Sequence, residues 1–309
     1  MHLRGLSNRQ LPWRCRTPYA FRAMKPAPFQ YHAPKTIAET LDLLGRYAND
    51  DGRVLAGGQS LVPTMAFRLA RPKHLIDING VTGLDRITVE NGRLCIGAAV
   101  RHAAFERPVD DGPLGRLLAS VVRHIAHRPI RARGTFCGSI AHADPASEWC
   151  AVAAGLNAEM VAESKVSGTR VIPAREFFEG IMTTALRENE LLREVRLPIL
   201  PKGTYAGFAE YSRRAGDYAI AMAVATYRLK NGIMSDMHVA VGGAEARPRR
   251  IPEAERVLIG RPPNLGTFQA AAHEARKAID PLDDPSVSAE YRRGVVRAMV
   301  TRALENAVT

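Results

Sequence analysis

Apolar positions along the chain follow two rhythms, one of three to four residues and one of two, and their order predicts a mixed α+β protein. Ile37, Leu41, Leu44 and Tyr47 share one helical face, with Thr36 as N-cap and Glu39 three residues on, as in a capping box. Asp50-Asp51-Gly52 turns the chain into a short strand, Arg53-Val54-Leu55-Ala56. After two glycines, Ser60 is placed to cap a helix through Leu61, Met65 and Leu69, with Pro63 in the first turn, where a missing N–H costs little. His74–Ile78 reads as the next strand. Alternation on either side of Asn91-Gly92 predicts a hairpin over 86–96. Helices are expected over 113–126 and 148–156, and strands over 159–163 and 190–197.

Leu197-Pro198-Ile199-Leu200-Pro201-Lys202-Gly203 has the composition of a linker. Beyond it three strands are expected (204–212, 219–229 and 233–241), the last two joined at Asn231-Gly232. Three helices follow, at 252–260, 265–279 and 288–306, with apolar faces suited to cover one side of that sheet. The expected organisation is an extension at 1–23, one domain over 24–200 and a second over 201–309.

Composition narrows the function classes. With 46% hydrophobic and 24% charged residues, the 309-residue chain can bury a sizeable core. No stretch approaches the ~20 apolar residues that a spanning helix needs. The formal charge of +12 invites a nucleic-acid reading, but residues 1–23 alone hold five arginines and no acid. The other basic residues are interleaved with acids, and zinc-finger, homeodomain and RRM signatures are absent. Those first residues are read as a disordered extension, with Met24 as a second start; they lack the apolar core of a secretory signal. The four cysteines form no C-x-x-C pair, which favours reduced thiols and a cytoplasmic protein and places any iron–sulfur cluster on another chain.

Two glycine-bearing turns carry the chemistry. The first is Ala56-Gly57-Gly58-Gln59-Ser60, between a strand and a helix start; the second is Thr135-Phe136-Cys137-Gly138-Ser139, running on through Ile140-Ala141-His142-Ala143-Asp144-Pro145. Bare backbone at such corners offers N–H groups to phosphate, and two turns suit a ligand with more than one phosphate. A branched side chain at Gly58 is expected to fill the phosphate's place. G-x-G-x-x-G is missing at the first corner and Walker A is absent, so the common nicotinamide and ATP folds are disfavoured. His142, Asp144 and Glu148 permit a metal reading, but Asp144 before Pro145 is better explained as a turn former. In Arg213-Arg214-Ala215-Gly216-Asp217-Tyr218, the tyrosine is either a core residue entering a strand or a platform for a flat ring.

Together, Ala56-Gly57-Gly58-Gln59-Ser60-Leu61-Val62-Pro63, the run from Gly134 to Ala146, and Arg213–Tyr218 resemble the FAD-binding medium subunit of molybdenum hydroxylases, the group that includes carbon monoxide, xanthine and nicotine dehydrogenases. The resemblance spans about residues 24–306. It implies a PCMH-type FAD-binding domain of two α+β subdomains, followed by a C-terminal domain with a three-stranded sheet and helices. It further implies that Ala56, Gly57, Gly58, Gln59 and Ser60 meet the pyrophosphate of a non-covalent FAD from one side, and Thr135, Gly138 and Ser139 from the other. Asp144 would lie near the cofactor and Tyr218 would shield the isoalloxazine ring. Cys137 stands where the family often has glycine, and Ala132 where it often has asparagine.

The function implied is that of an electron-transfer subunit without catalytic acid–base residues or a metal of its own. It would take electrons from 2Fe-2S clusters on a small partner subunit, beside a molybdopterin-binding large subunit, in a dimer of heterotrimers. A stand-alone flavin oxidase or reductase, or a basic binding module, are the alternatives.

Overall fold

A computed structural model describes residues 25–308; the expected extension at 1–23 and the second start at Met24 lie outside the described residues. The chain begins with β1 (Gln30–His32), α1 (Ile37–Tyr47), β2 (Gly52–Leu55), α2 (Leu61–Ala66) and β3 (His74–Asp77). The three strands form a parallel sheet in the order β1-β3-β2. Thr36 caps α1 through a bond from the Glu39 N–H (3.2 Å), and the Glu39 carboxylate accepts from the N–H of Lys35 (2.7 Å), one residue earlier than a standard capping box. The α2 helix is shorter than expected. It stops at Ala66, Arg68 takes a left-handed φ of 59°, and Leu69 is 81% exposed, so only Met65 of the apolar face is buried.

The middle of the chain supplies β4 (Ile87–Glu90), β5 (Arg93–Gly97), α3 (Pro113–Val121), α4 (Arg128–Arg131), α5 (Phe136–His142), α6 (Glu148–Gly155), β6 (Glu159–Ser164), β7 (Gly168–Pro173), α7 (Ala174–Phe177), β8 (Phe178–Gly180), β9 (Thr183–Thr184) and β10 (Leu191–Pro198). An antiparallel sheet runs β4-β5-β10-β6-β7. Its first hairpin turns at Asn91 (φ 52°) and Gly92 (φ 71°), the paired positive angles that an Asn-Gly turn supplies. The α3 helix ends earlier than its apolar run. His124 and Ile125 continue it with bonds to carbonyls only three residues back, and Ala126 (φ 41°) closes it.

After Lys202 the chain forms β11 (Thr204–Tyr211), β12 (Ala221–Lys230), β13 (Ile233–Gly242), β14 (Arg249–Arg250), α8 (Pro252–Leu258), α9 (Leu265–Ala278) and α10 (Ala289–Glu305). The sheet is four-stranded, β11-β12-β13-β14, where three strands were expected. The fourth strand is only two arginines long, with no alternation to betray it.

Both faces of this sheet are covered. Met222 and Val224 join one core with α3, α6 and the middle sheet, whereas Ala221, Ala223, Ala225 and Tyr227 pack with α8–α10. This division is the period of two expected of a strand. At the junction Gly155, the last residue of α6, sits so close that a Cβ there would be 3.1 Å from that of Ala240 and 3.4 Å from that of Val224.

Candidate functional site

The two glycine turns, far apart in sequence, touch each other. A Cβ on Gly57 would stand 2.5 Å from Gly134 Cα and nearer still to the Arg133 carbonyl oxygen, so glycine is what lets the turns meet. Gly58 has a different task. Its φ is +72°, and its missing Cβ faces Val62 and Leu55 at 3.1 and 3.2 Å, not an open phosphate space. The expectation that a branched side chain at Gly58 would fill the phosphate's place is thereby corrected: the position needs glycine for its backbone conformation.

The first turn has free donors. Among the described residues, the N–H groups of Gly57, Gly58, Gln59 and Ser60 have no acceptor. The Ser60 hydroxyl does not cap α2, and the Gln59 amide donates to the Gly57 carbonyl at 3.1 Å. Four unpaired N–H groups at one corner are what an anionic, multi-oxygen group requires. By this test the residues fit a pyrophosphate.

The second turn is more occupied with its own structure. Thr135 caps α5 by accepting from the Gly138 N–H (3.0 Å), and its carbonyl accepts from the Ser139 N–H (3.0 Å). The Ser139 hydroxyl pairs with that of Ser147 at 2.8 Å. Thr135 keeps its hydroxyl proton to donate. Cys137 is buried, and its thiol lies 3.3 Å from the Ile96 carbonyl oxygen; burial pushes the thiol far up, so it stays protonated.

Three residues that the sequence did not single out hold the turns together. Asn79 donates to the Ala56 carbonyl (2.7 Å) and accepts from Arg101 (2.6 Å), and Arg101 also donates to the Arg133 carbonyl, so one polar chain runs from the first turn to the second. Behind the second turn the N–H of His102 donates to the Gly134 carbonyl (3.0 Å), and its Nδ1 accepts from the Trp149 indole (2.9 Å). Burial lowers the His102 imidazole to about 4, with the charges of Arg101 and Arg131 adding to it. The ring is therefore neutral, with its proton on Nε2.

Asp144 accepts from the Ala146 N–H at 2.9 Å, the turn-forming role. Among the described residues no group of three or more His, Cys, Asp or Glu stands where a metal ion could be held. Tyr218 is 74% exposed and so is not a core residue. Lost solvation, with the charges of Asp144 and Glu148, pushes its phenol up. Gly243 donates its N–H to the Pro145 carbonyl (2.7 Å) and packs against the Ala219 backbone, so the segment that carries Tyr218 and the Asp144–Pro145 turn are neighbours. Two further acids, Glu148 and Glu210, were left unassigned as a pair by the sequence. Burial pushes Glu148 up, with the charge of Asp144 adding to it, and burial followed by the charge of Glu148 pushes Glu210 up. The Glu210 side chain is 2% exposed, its Oε2 has no hydrogen-bond partner, and His124 Nδ1 is 4.0 Å away.

This pair makes stability depend on pH. A carboxyl whose folded pKa is raised contributes most below its unfolded value, and that contribution is lost as pH rises through the folded one. The melting temperature of the flavin-free chain is expected to fall between about pH 5 and pH 9. Glu210→Gln, which cannot ionise, should flatten that fall. Superimposable pH–melting curves for variant and wild type would show that Glu210 is not held protonated.

The chain matches the model of the FAD binding domain in molybdopterin dehydrogenase over residues 27–200, and that of the CO dehydrogenase flavoprotein C-terminal domain over 206–307. It is 37% identical to the nicotine 6-hydroxylase medium subunit of Paenarthrobacter nicotinovorans, covering 92% of this chain and 99% of that one. It is 39% identical to the 6-hydroxypseudooxynicotine dehydrogenase complex subunit alpha of the same organism, covering 92% and 96%. Among solved structures, carbon monoxide dehydrogenase from Hydrogenophaga pseudoflava superposes with a TM-score of 0.86 at 36% identity, over 91% of this chain and 98% of that chain.

Proposed function

Because the chain belongs to the family of FAD-binding medium subunits of molybdopterin dehydrogenases, we propose that it is the subunit that passes electrons from iron–sulfur clusters on a small partner to an external acceptor. It is an oxidoreductase subunit of α+β fold with a PCMH-type domain, and FAD is its cofactor. The molybdenum and iron–sulfur cofactors of such complexes belong to other subunits. FAD, when bound, exchanges electrons one or two at a time and so joins single-electron carriers to two-electron acceptors.

The observation that carries the reading is the pair of turns in contact, with four unpaired N–H groups on the first. In it, Gly57, Gly58, Gln59 and Ser60 donate to the pyrophosphate through their backbone, and Ala56 is fixed beside them by Asn79. Thr135, with Gly138 and Ser139 on α5, forms the opposite wall. Asp144 holds the turn that follows, and the exposed Tyr218 covers the flavin ring. The division into domains at 24–200 and 201–309 is supported by the spans of the two family matches. Assembly with a molybdopterin-binding large subunit and a 2Fe-2S small subunit, as a dimer of heterotrimers, belongs to the same proposal. A cytoplasmic location agrees with the free state of Cys95, Cys137 and Cys150. No helix among the described residues is long and apolar enough to cross a membrane.

The test is the visible spectrum of the chain purified with its partner subunits, and then alone. Bands near ~370 and ~450 nm, those of oxidised flavin, are expected in both preparations, with roughly one FAD per chain. A chain that takes up no FAD even in the complex overturns the reading.

A further inference from the structure

The RRAGDY segment and the Asp144–Pro145 turn come from separate parts of the chain, yet one buried side chain lies behind both. Arg292, on α10, is 8% exposed. Its Nη1 donates to the carbonyls of Ile220 (2.9 Å) and Gly243 (3.0 Å), and its Nη2 donates to the carboxylate of Asp284 (2.5 Å). Ile220 lies two residues beyond Tyr218, and its N–H donates to the Tyr211 carbonyl (2.8 Å), which closes the base of the loop that carries Tyr218. Gly243 in turn donates its N–H to the Pro145 carbonyl at 2.7 Å, directly beside Asp144. Gly243 has a φ of +77°, and a Cβ there would stand 3.1 Å from the Ala219 carbonyl oxygen. The two backbone segments are therefore pressed together where the guanidinium grips them.

The clamp has a second arm. Asp284 also accepts from the N–H groups of Ser286 (2.8 Å) and Val287 (3.0 Å), and the Ser286 carbonyl accepts from Arg213 Nη2 at 2.8 Å. The strap at 284–288 thus ties Arg292 at one end of the Tyr218 loop to Arg213 at the other. A planar fork of donors serves such a junction and a lysine ammonium does not, because two carbonyls and a carboxylate must be met from fixed directions. Nε of Arg292 is buried without a partner. A side chain kept only to fill space would not carry that orphaned donor.

We infer that Arg292 is a positioning residue for the flavin site, setting where Tyr218 and the Asp144–Pro145 turn stand relative to it from the far side of the C-terminal sheet. The inference rests on the assignment of Tyr218 to the flavin ring.

The experiment uses the assembled complex and the variants Arg292→Lys, Arg292→Met, Tyr218→Ala and the Arg292→Met/Tyr218→Ala double variant. Three quantities are read: flavin fluorescence, FAD dissociation constant, and the rate of tryptic cleavage at Arg213 and Arg214. Arg292→Met is expected to raise flavin emission several-fold, weaken FAD binding about tenfold and accelerate loop cleavage about tenfold, with Arg292→Lys intermediate. Tyr218→Ala should raise emission by itself and add little in the Arg292→Met background, as coupled residues do. If Tyr218→Ala changes neither emission nor affinity, the assignment of Tyr218 fails. If it changes them and Arg292→Met changes neither them nor cleavage, the positioning role fails. Full additivity of the two also overturns it. Should Arg292→Met not fold, Asp284→Asn loosens the same clamp from its more exposed end and is read against the same criteria.

Discussion

Gly57→Ala is expected to produce a chain that folds but retains no FAD through purification. The added Cβ would lie 2.5 Å from Gly134 Cα, with the Arg133 carbonyl nearer still. Both obstacles are backbone, so no rotamer change relieves them. Forcing a methyl group into a packed site costs about 1–3 kcal/mol, occasionally more. Here the strain is relieved by parting the two turns, which breaks the bridge from the Ala56 carbonyl through Asn79 and Arg101 to the Arg133 carbonyl. Gly58→Ala is the informative comparison. Its Cβ meets only the side chains of Val62 and Leu55, so its cost is chiefly that of a positive φ, roughly 1–2 kcal/mol. FAD released by denaturing each purified variant, per mole of chain, gives the result. Wild-type flavin content in Gly57→Ala would mean that contact between the turns is not what shapes the cradle.

The second large effect is expected at Trp149. Its ring is fully buried, 4.7 Å from that of Phe136 and 5.2 Å from that of Phe105, and its indole N–H is the partner of His102. Trp149→Ala should cost about 3–5 kcal/mol, as large-to-small core substitutions do, and lower the melting temperature by on the order of 10 °C. Trp149→Phe separates the two contributions: it keeps an aromatic ring but leaves Nδ1 of His102 without a donor, a loss of roughly 1–3 kcal/mol. Acid sharpens the test. His102 is held neutral, with its pKa lowered to about 4. The unfolded chain takes up this proton near the ordinary histidine value of about 6.5, so the contribution of His102 is complete above that pH and is lost as pH falls toward the lower value. Filling of the cavity by solvent in Trp149→Ala would let the imidazole ionise within the folded chain, so the acid limb of the stability curve should become shallower. An unchanged acid limb, with an unchanged melting temperature, would contradict the role given to the pair.

How much of this site the sequence disclosed depends on the kind of signal each residue leaves. The Thr36 cap and the Asn91-Gly92 hairpin were legible because their chemistry is local: side chain and partner lie within a few positions. The glycine turns were legible for the same reason, and so was the Asn231-Gly232 joint between β12 and β13. Asn79, Arg101 and His102 were not. Each is a single polar residue whose bridging partners lie from 22 to 47 positions away, and no periodicity marks such a contact. Ser147 was hidden in the same way: it lies eight positions beyond Ser139, and only the fold sets its hydroxyl 2.8 Å from that of Ser139. The burial of Glu210 was hidden too. It follows four consecutive buried residues of β11, Ala206–Ala209, and only the packing of that strand reveals that its carboxyl stays on the dry side.

Gly155 carries a consequence for protein engineering. The close fit of this one residue against Ala240 and Val224 means that the C-terminal sheet and the preceding half of the chain are keyed to each other like lock wards. A chimaera that grafts the sheet of a relative onto this N-terminal half will fit without a local shift of a few tenths of an ångström only if the recipient helix ends in glycine and the incoming strands add no bulk at those two points. Shuffling the two halves between such subunits is then a matter of exchanging the key and its lock together, with the crossover placed so that both come from the same parent.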